Sequence, residues 1–204
     1  MPTLIIDTST ETCLIALSSE DSILAFEAFP HGNQLSQTLL PAIESMVKKE
    51  CGSPTNLSAI ALGIGPGSYT GTRLGVAVAK ALAFGLRIPL KPFASPLAFL
   101  PDQLGTFAFV MPTRAGHYFA LCGTQTPDKI DMKNGSTVDL NTLLALTEAA
   151  EYLVTPSGSS PAAALAHLPC YLAAHNLPLL LRSLAHIQPG TSENIPLIYL
   201  HSPL

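Results

Sequence analysis

Residues 58–75 read SAIALGIGPGSYTGTRLG. The first seven are apolar apart from Ser58, which predicts a strand of about Ser58–Ile64 buried on both faces. Gly65-Pro66-Gly67-Ser68-Tyr69-Thr70-Gly71 then breaks the pattern, because glycine takes backbone angles closed to other residues. A helix of about Thr72 to Leu86 follows, and Pro89 and Pro92 end the unit. Ser68, Thr70 or Thr72 can cap that helix. Exposed loop amides with Arg73 in the first turn can bind an anion. A tight strand-to-helix turn accounts for the same residues equally well. The loop is not a P-loop, since no Gly-Lys-Ser/Thr follows, and it is not a dinucleotide fingerprint.

Upstream, Thr3–Asp7, Cys13–Ser18 and Ser22–Phe29 are short apolar runs joined by polar turns, the pattern of an antiparallel meander. A helix of about Gln34 to Glu50 comes next, with Leu35, Leu39, Leu40, Ile43, Met46 and Val47 at helical spacing. Lys48 and Lys49 suit the negative end of its dipole, and Gly52 is its expected stop. Strands and helices in this order predict a mixed sheet with helices packed on it. Asp7-Thr8-Ser9 closes the first strand. A carboxylate there, followed by hydroxyls and amides, can hold a metal–phosphate or simply cap a turn.

Gly71, Gly75, Ala79 and Ala83 recur every four residues and form one stripe of small side chains. Such a stripe admits another backbone closely, either a partner's or that of its own sheet. Leu74, Val78 and Leu82 are expected to supply the helix's conventional core face.

The chain beyond about residue 95 is harder to read. Phe107–Met111 and His117–Cys122 look like a hairpin, Leu140–Glu151 like a helix, and Leu153–Thr155 like a short strand. Further helices are expected near Pro161–Leu168 and Leu177–Ile187. Proline density places a boundary near Pro92–Pro101, giving domains 1–95 and 96–204.

Composition narrows the class. The 204 residues carry 10 Lys and Arg against 14 Asp and Glu, a net charge of -4, which argues against a free-standing nucleic-acid binder. Charged residues are only 12%, about half the usual share in soluble domains, so the surface must carry apolar patches of the kind that mark interfaces. Cys13, Cys51, Cys122 and Cys170 form no C-x-x-C pair and are expected as reduced thiols of a cytosolic protein. The start of the chain has no basic n-region, so no secretory signal is expected. Tyr152–Leu181 lacks Asp, Glu, Lys and Arg, but four prolines interrupt it, so no membrane span is expected. The six histidines make no H-x-x-x-H pair, no Ser sits in G-x-S-x-G, and no Cys has an activating neighbour. The expectation is a protein with no catalytic residues and no metal site.

Leu4-Ile5-Ile6-Asp7-Thr8-Ser9-Thr10-Glu11-Thr12-Cys13 resembles the opening I-D-T-S/A-T-E-x-C of the bacterial TsaB (YeaZ) family. Gly65–Gly71 with Arg73-Leu74-Gly75 is similar to that family's G-P-G-S-F/Y-T-G-x-R-I-G signature. The resemblance covers about residues 3–95 and thins to Arg114-x-Gly116-x-Tyr118 and Pro196-x-x-Tyr199 beyond. Three positions depart from the family pattern: Leu35 replaces a His, Pro112 an Asp, and His201 the terminal Arg.

The resemblance implies an α/β, actin-like ATPase (ribonuclease-H-like) fold of two subdomains with mixed sheets. It implies a cytoplasmic, non-catalytic scaffold in making N6-threonylcarbamoyladenosine in tRNA. Its paralogue TsaD would transfer the threonylcarbamoyl group, the ATPase TsaE would join the pair, and tRNA would be met through the complex. TsaB is related to proteins once called glycoproteases. The Asp7 loop resembles the first phosphate loop of actin-like ATPases, and Ser157-Gly158-Ser159-Ser160 is a poor substitute for the adenosine motif. Asp7, Thr8, Ser9, Gly65, Gly67 and Ser68 would be a vestigial ATP/ADP site, with no cofactor expected. The alternative is a small ATPase or phosphotransferase using Asp7. Leu39, Ile43, Gly71, Arg73, Gly75, Val78, Ala79 and Leu82 are expected to dock TsaD, or a second copy of the chain.

Overall fold

The computed structural model describes all residues except 21, 31, 33, 157–162, 173–174, 191–194, 196 and 199–204. Ser157–Ser160, Pro196, Tyr199 and His201, singled out above, lie outside the described residues. The chain forms two compact units. One runs from Met1 to Leu97 and takes up the chain again from Leu180; the other is Ala98–Leu179. A single cut after residue 95 therefore misassigns the C-terminal return. Its Gly190 bridges Leu90, and its Ile198 N–H donates to the Ile64 carbonyl at 2.9 Å.

In the first unit, β1 (Thr3–Asp7), β2 (Thr12–Ser19) and β3 (Ser22–Pro30) form the antiparallel meander. β4 (Ala59–Gly63) lies parallel to β1, and β5 (Leu90–Phe93) parallel to β4, giving the order β3-β2-β1-β4-β5. β4 is buried throughout, as its unbroken apolar run requires. β5 escapes sequence reading because Pro92 suits only an edge strand, which is where it lies.

Two helices share one core with the sheet: α1 (Leu35–Cys51) and α2 (Tyr69–Leu86). Gly52 ends α1 with φ +74°, its N–H on the Lys48 carbonyl. Leu35 is buried in that core. α2 begins three residues earlier than its apolar periodicity suggests. Ser68 Oγ accepts the Gly71 N–H at 3.2 Å and so makes Tyr69–Thr72 the first helical turn.

The second unit holds β6 (Gly105–Pro112), β7 (Tyr118–Gln125), β8 (Ile130–Met132), β9 (Ser136–Val138), β10 (Tyr152–Thr155) and β11 (Cys170–Leu172). Their order is β11-β10-β6-β7-β8, with β9 also beside β7. Pro112 ends β6, exposed. α3 (Leu140–Thr147) stops short of Glu151, and its buried Thr147 hydroxyl bonds back to the Leu143 carbonyl at 2.9 Å. Near Pro161–Leu168 the described chain shows a single 3-10 turn, Ala163–Leu165, in place of the expected helix. α4 (Leu177–Leu184) follows. Both units are mixed α/β sheets, the expected class.

Candidate functional site

β1 delivers Asp7, Thr8 and Ser9 to the edge of the sheet where β4 delivers the glycine loop, because the two strands are parallel neighbours. All six residues expected to form a phosphate site meet there. The hydroxyl of Thr8 donates to the Gly71 carbonyl at 2.7 Å. Ser68 N–H donates to the Ser9 carbonyl at 2.6 Å. Asp7 Oδ1 accepts from Ser9 N–H at 2.9 Å and from Ser9 Oγ at 2.6 Å. Ser9 Oγ also lies 2.8 Å from Ser95 Oγ, which accepts the Gly65 N–H at 3.0 Å.

This junction is closed. Asp7, Thr8 and Ser9 are each 1% exposed, and the amides of Ser9, Gly65, Ser68 and Gly71 are all spent on their own chain. Gly67 is glycine because a Cβ there would run into the Ser9 carbonyl. Burial pushes the Asp7 carboxyl above the ordinary carboxylate range, against the opposing hydrogen bonds from Ser9 and Ser95. Asp7 Oδ2 has no partner among the described residues. Burial, and then the Asp7 charge, push the Cys13 thiol up to about 12, so it is not a nucleophile. The arrangement locks two loops together; it does not present free donors to an anion. Ser95 was missed from the sequence, since it lies 86 residues from its partner Ser9 and no local pattern marks it.

The helix faces reverse two expectations. Gly71, Gly75, Ala79 and Ala83 are the buried side of α2. A Cβ at Gly75 would strike the Thr8 hydroxyl, so the backbone admitted closely is that of the chain's own β1 end. Gly71, Gly75 and Ala79 are therefore not a partner surface, and neither are Leu39 and Ile43, which lie in the core beneath α1. Leu74, Val78 and Leu82, expected as the core face, are the half-buried flank. Of the expected interface residues, Val78 and Leu82 remain partly accessible and Arg73 is exposed, its guanidinium 3.9 Å above the Tyr69 ring. Phe84 is 83% exposed on α2, and Leu40 49% exposed on α1.

The model of the family described as TsaD, tRNA N6-adenosine threonylcarbamoyltransferase, matches residues 31–101. The chain is 38% identical over 91 residues to the tRNA threonylcarbamoyladenosine biosynthesis protein TsaB of Escherichia coli. It is 41% identical over 95 residues to TsaB of Bacillus subtilis. Over a little under half of its length, the chain is therefore similar to TsaB proteins. The aligned stretches are 44% and 47% of this chain and 38% and 42% of those TsaB proteins, so it spans about two fifths of the length of the curated relatives it matches. A solved YeaZ from Pseudomonas aeruginosa has the same fold, with a TM-score of 0.77 over 98% of this chain and 99% of that one at 23% identity. The fold shared with that YeaZ thus extends through both units, beyond the 91–95 residues aligned with the curated relatives.

Proposed function

We propose that this chain acts in forming N6-threonylcarbamoyladenosine in tRNA as a cytoplasmic scaffold subunit that docks a TsaD-type transferase and does no transfer chemistry itself. The observation that carries the reading is the sealed junction of the Asp7 and Gly65–Gly71 loops. The edge of the sheet where an actin-like ATPase would hold phosphate is filled by the chain's own hydrogen bonds. The docking surface is the accessible side of α1 and α2, including Leu40, Val78 and Leu82, and it would take a second copy when TsaD is absent. A TsaE-type ATPase would join the assembled pair.

The test is association of the full chain with its cognate TsaD by sedimentation, alongside calorimetry with Mg-ATP. Leu40→Asp and Val78→Asp should each weaken the complex about tenfold or more with an unchanged circular dichroism spectrum, as expected for buried interface anchors. Heat from Mg-ATP binding that disappears in Asp7→Ala would favour an ATPase instead. Turnover by the chain alone would end the scaffold reading.

A further inference from the structure

Among the described residues the chain passes between its two compact units twice, after Leu97 and again after Leu179. Just inside the second unit the outgoing and returning segments are tied side by side. Asn176 N–H donates to the Ala98 carbonyl at 2.8 Å, and Asn176 Nδ2 donates to the Leu100 carbonyl at 2.9 Å. Asn176 Oδ1 in turn accepts the Leu179 N–H at 3.2 Å, which caps the start of α4. One residue therefore fastens the two crossings together and begins the helix that carries the chain back.

His175 stands immediately before that cap. Its ring lies against the buried Phe99, with centroids 5.0 Å apart and planes tilted by 34°. His175 is half-buried, and its Nε2 is sealed from solvent with no hydrogen-bond partner among the described residues. The charged groups of the segments flanking the ring are Asp102, beyond Phe99, and Arg182, on α4; both are exposed. Neither acts on the ring: burial alone pulls the His175 pKa below the ordinary histidine value.

This setting suits one charge state. A neutral imidazole can hold its proton on Nδ1 and leave Nε2 as a bare lone pair. An imidazolium must carry N–H on Nε2 as well, and the sealed nitrogen meets no acceptor. The Phe99 ring offers a cation less than an acceptor would. The second proton is therefore taken up when the ring leaves Phe99, and that movement pulls directly on Asn176, the next residue.

We propose that His175 is an acid-sensitive latch: the neutral ring, packed on Phe99, keeps the Asn176 cap on the outgoing segment, and protonation releases the cap and opens the start of α4. α4 leads into the return whose Ile198 N–H meets the Ile64 carbonyl, so the latch lies upstream of the contact that reaches the glycine loop. The inference needs no partner and stands apart from the scaffold reading.

The sign follows from linkage. In the open form His175 meets water and takes a proton near the ordinary value of about 6.5, whereas the closed form resists it. Opening is thus unaffected well above that pH. Below it, opening rises by up to about tenfold per pH unit and levels off once the closed form also protonates.

The test is amide hydrogen exchange of the full chain from about pH 8 to about pH 5, corrected for the intrinsic exchange rate. Opening at Leu179 to Leu184 should follow that course, while β6 and β7 keep their protection. H175F retains a ring against Phe99 and cannot protonate, so it should make opening of α4 independent of pH. Proton NMR of the wild-type ring should give a midpoint below the ordinary histidine value, and this reading stands even if H175F fails to fold. Wild-type opening of α4 that ignores pH overturns the latch. So does a folded H175F that keeps the wild-type pH dependence, which would assign it to another group. A ring that titrates at the ordinary value while α4 stays protected would show that the imidazolium fits in place, and would overturn it too.

Discussion

Asp7 is held at the end of β1 with one carboxylate oxygen bonded twice by Ser9 and the other unpartnered among the described residues. Burial is the largest influence on it and raises its pKa above 3.8. The folded state therefore favours the protonated carboxyl more than the unfolded chain does. That contribution to stability is full below the ordinary carboxylate pKa and is lost as pH rises through the raised value. The expected outcome follows for Asp7→Asn, which keeps the shape and cannot ionise. The melting temperature of the native chain minus that of Asp7→Asn should fall as pH is raised from about 4, then level off once Asp7 is ionised. Scanning calorimetry of the two proteins across that range measures the difference. A flat difference would mean that Asp7 titrates normally and that the junction is open to water.

At the scale of elements, the contact between α2 and the end of β1 sets how closely helix and sheet approach. Gly75 faces Thr8, whose hydroxyl is committed to the Gly71 carbonyl, and β-branched Thr8 has little freedom to turn aside. Gly75→Ala should cost about 1–3 kcal/mol by overpacking, measured by urea denaturation. Thr8→Ala alone should cost about 1 kcal/mol for its hydrogen bond. The double variant should cost less than the two together, because shortening Thr8 makes room for the new methyl. Strict additivity would show that the two residues do not meet. This contact also shows where sequence reading stopped. The meander, α1, β4 and α2 were legible because their apolar residues recur at strand or helix period. The stripe of small residues was legible as a stripe, but spacing is the same whether the backbone that approaches belongs to a partner or to the chain's own sheet. The meeting of the Asp7 loop with the glycine loop was legible residue by residue. Its closure by Ser95 was not, because a contact across 86 residues leaves no local trace. The three-residue strands β8, β9 and β11 are too short to show any period.

For the whole molecule, the chain order of the first unit matters more than its motifs. Its sheet and helices are complete by Leu97, yet the chain returns to it from Leu180. Leu180 and Leu184 are buried, Gly190 N–H donates to the Leu90 carbonyl at 2.8 Å, and Ile198 N–H donates to Ile64 at the entrance to the glycine loop. Gly65 packs so closely on the Ile198 carbonyl that a Cβ there would collide with it. The return thus braces the Gly65–Gly71 loop, although that loop lies more than a hundred residues upstream. Ending the chain after Leu179 removes, among other contacts, the two backbone hydrogen bonds from Gly190 and Ile198, each worth about 1 kcal/mol, and the buried leucines, each worth about 1.5–3 kcal/mol. Amide hydrogen exchange should therefore speed up across β4, β5 and residues 64–71 in the truncated protein, while β6 and β7 keep the protection they have in the full chain. Equal loss of protection in both units would show that the return stabilises the molecule globally. Unchanged exchange in the Gly65–Gly71 loop would show that Ser95 and the Asp7 loop hold it without help from Ile198.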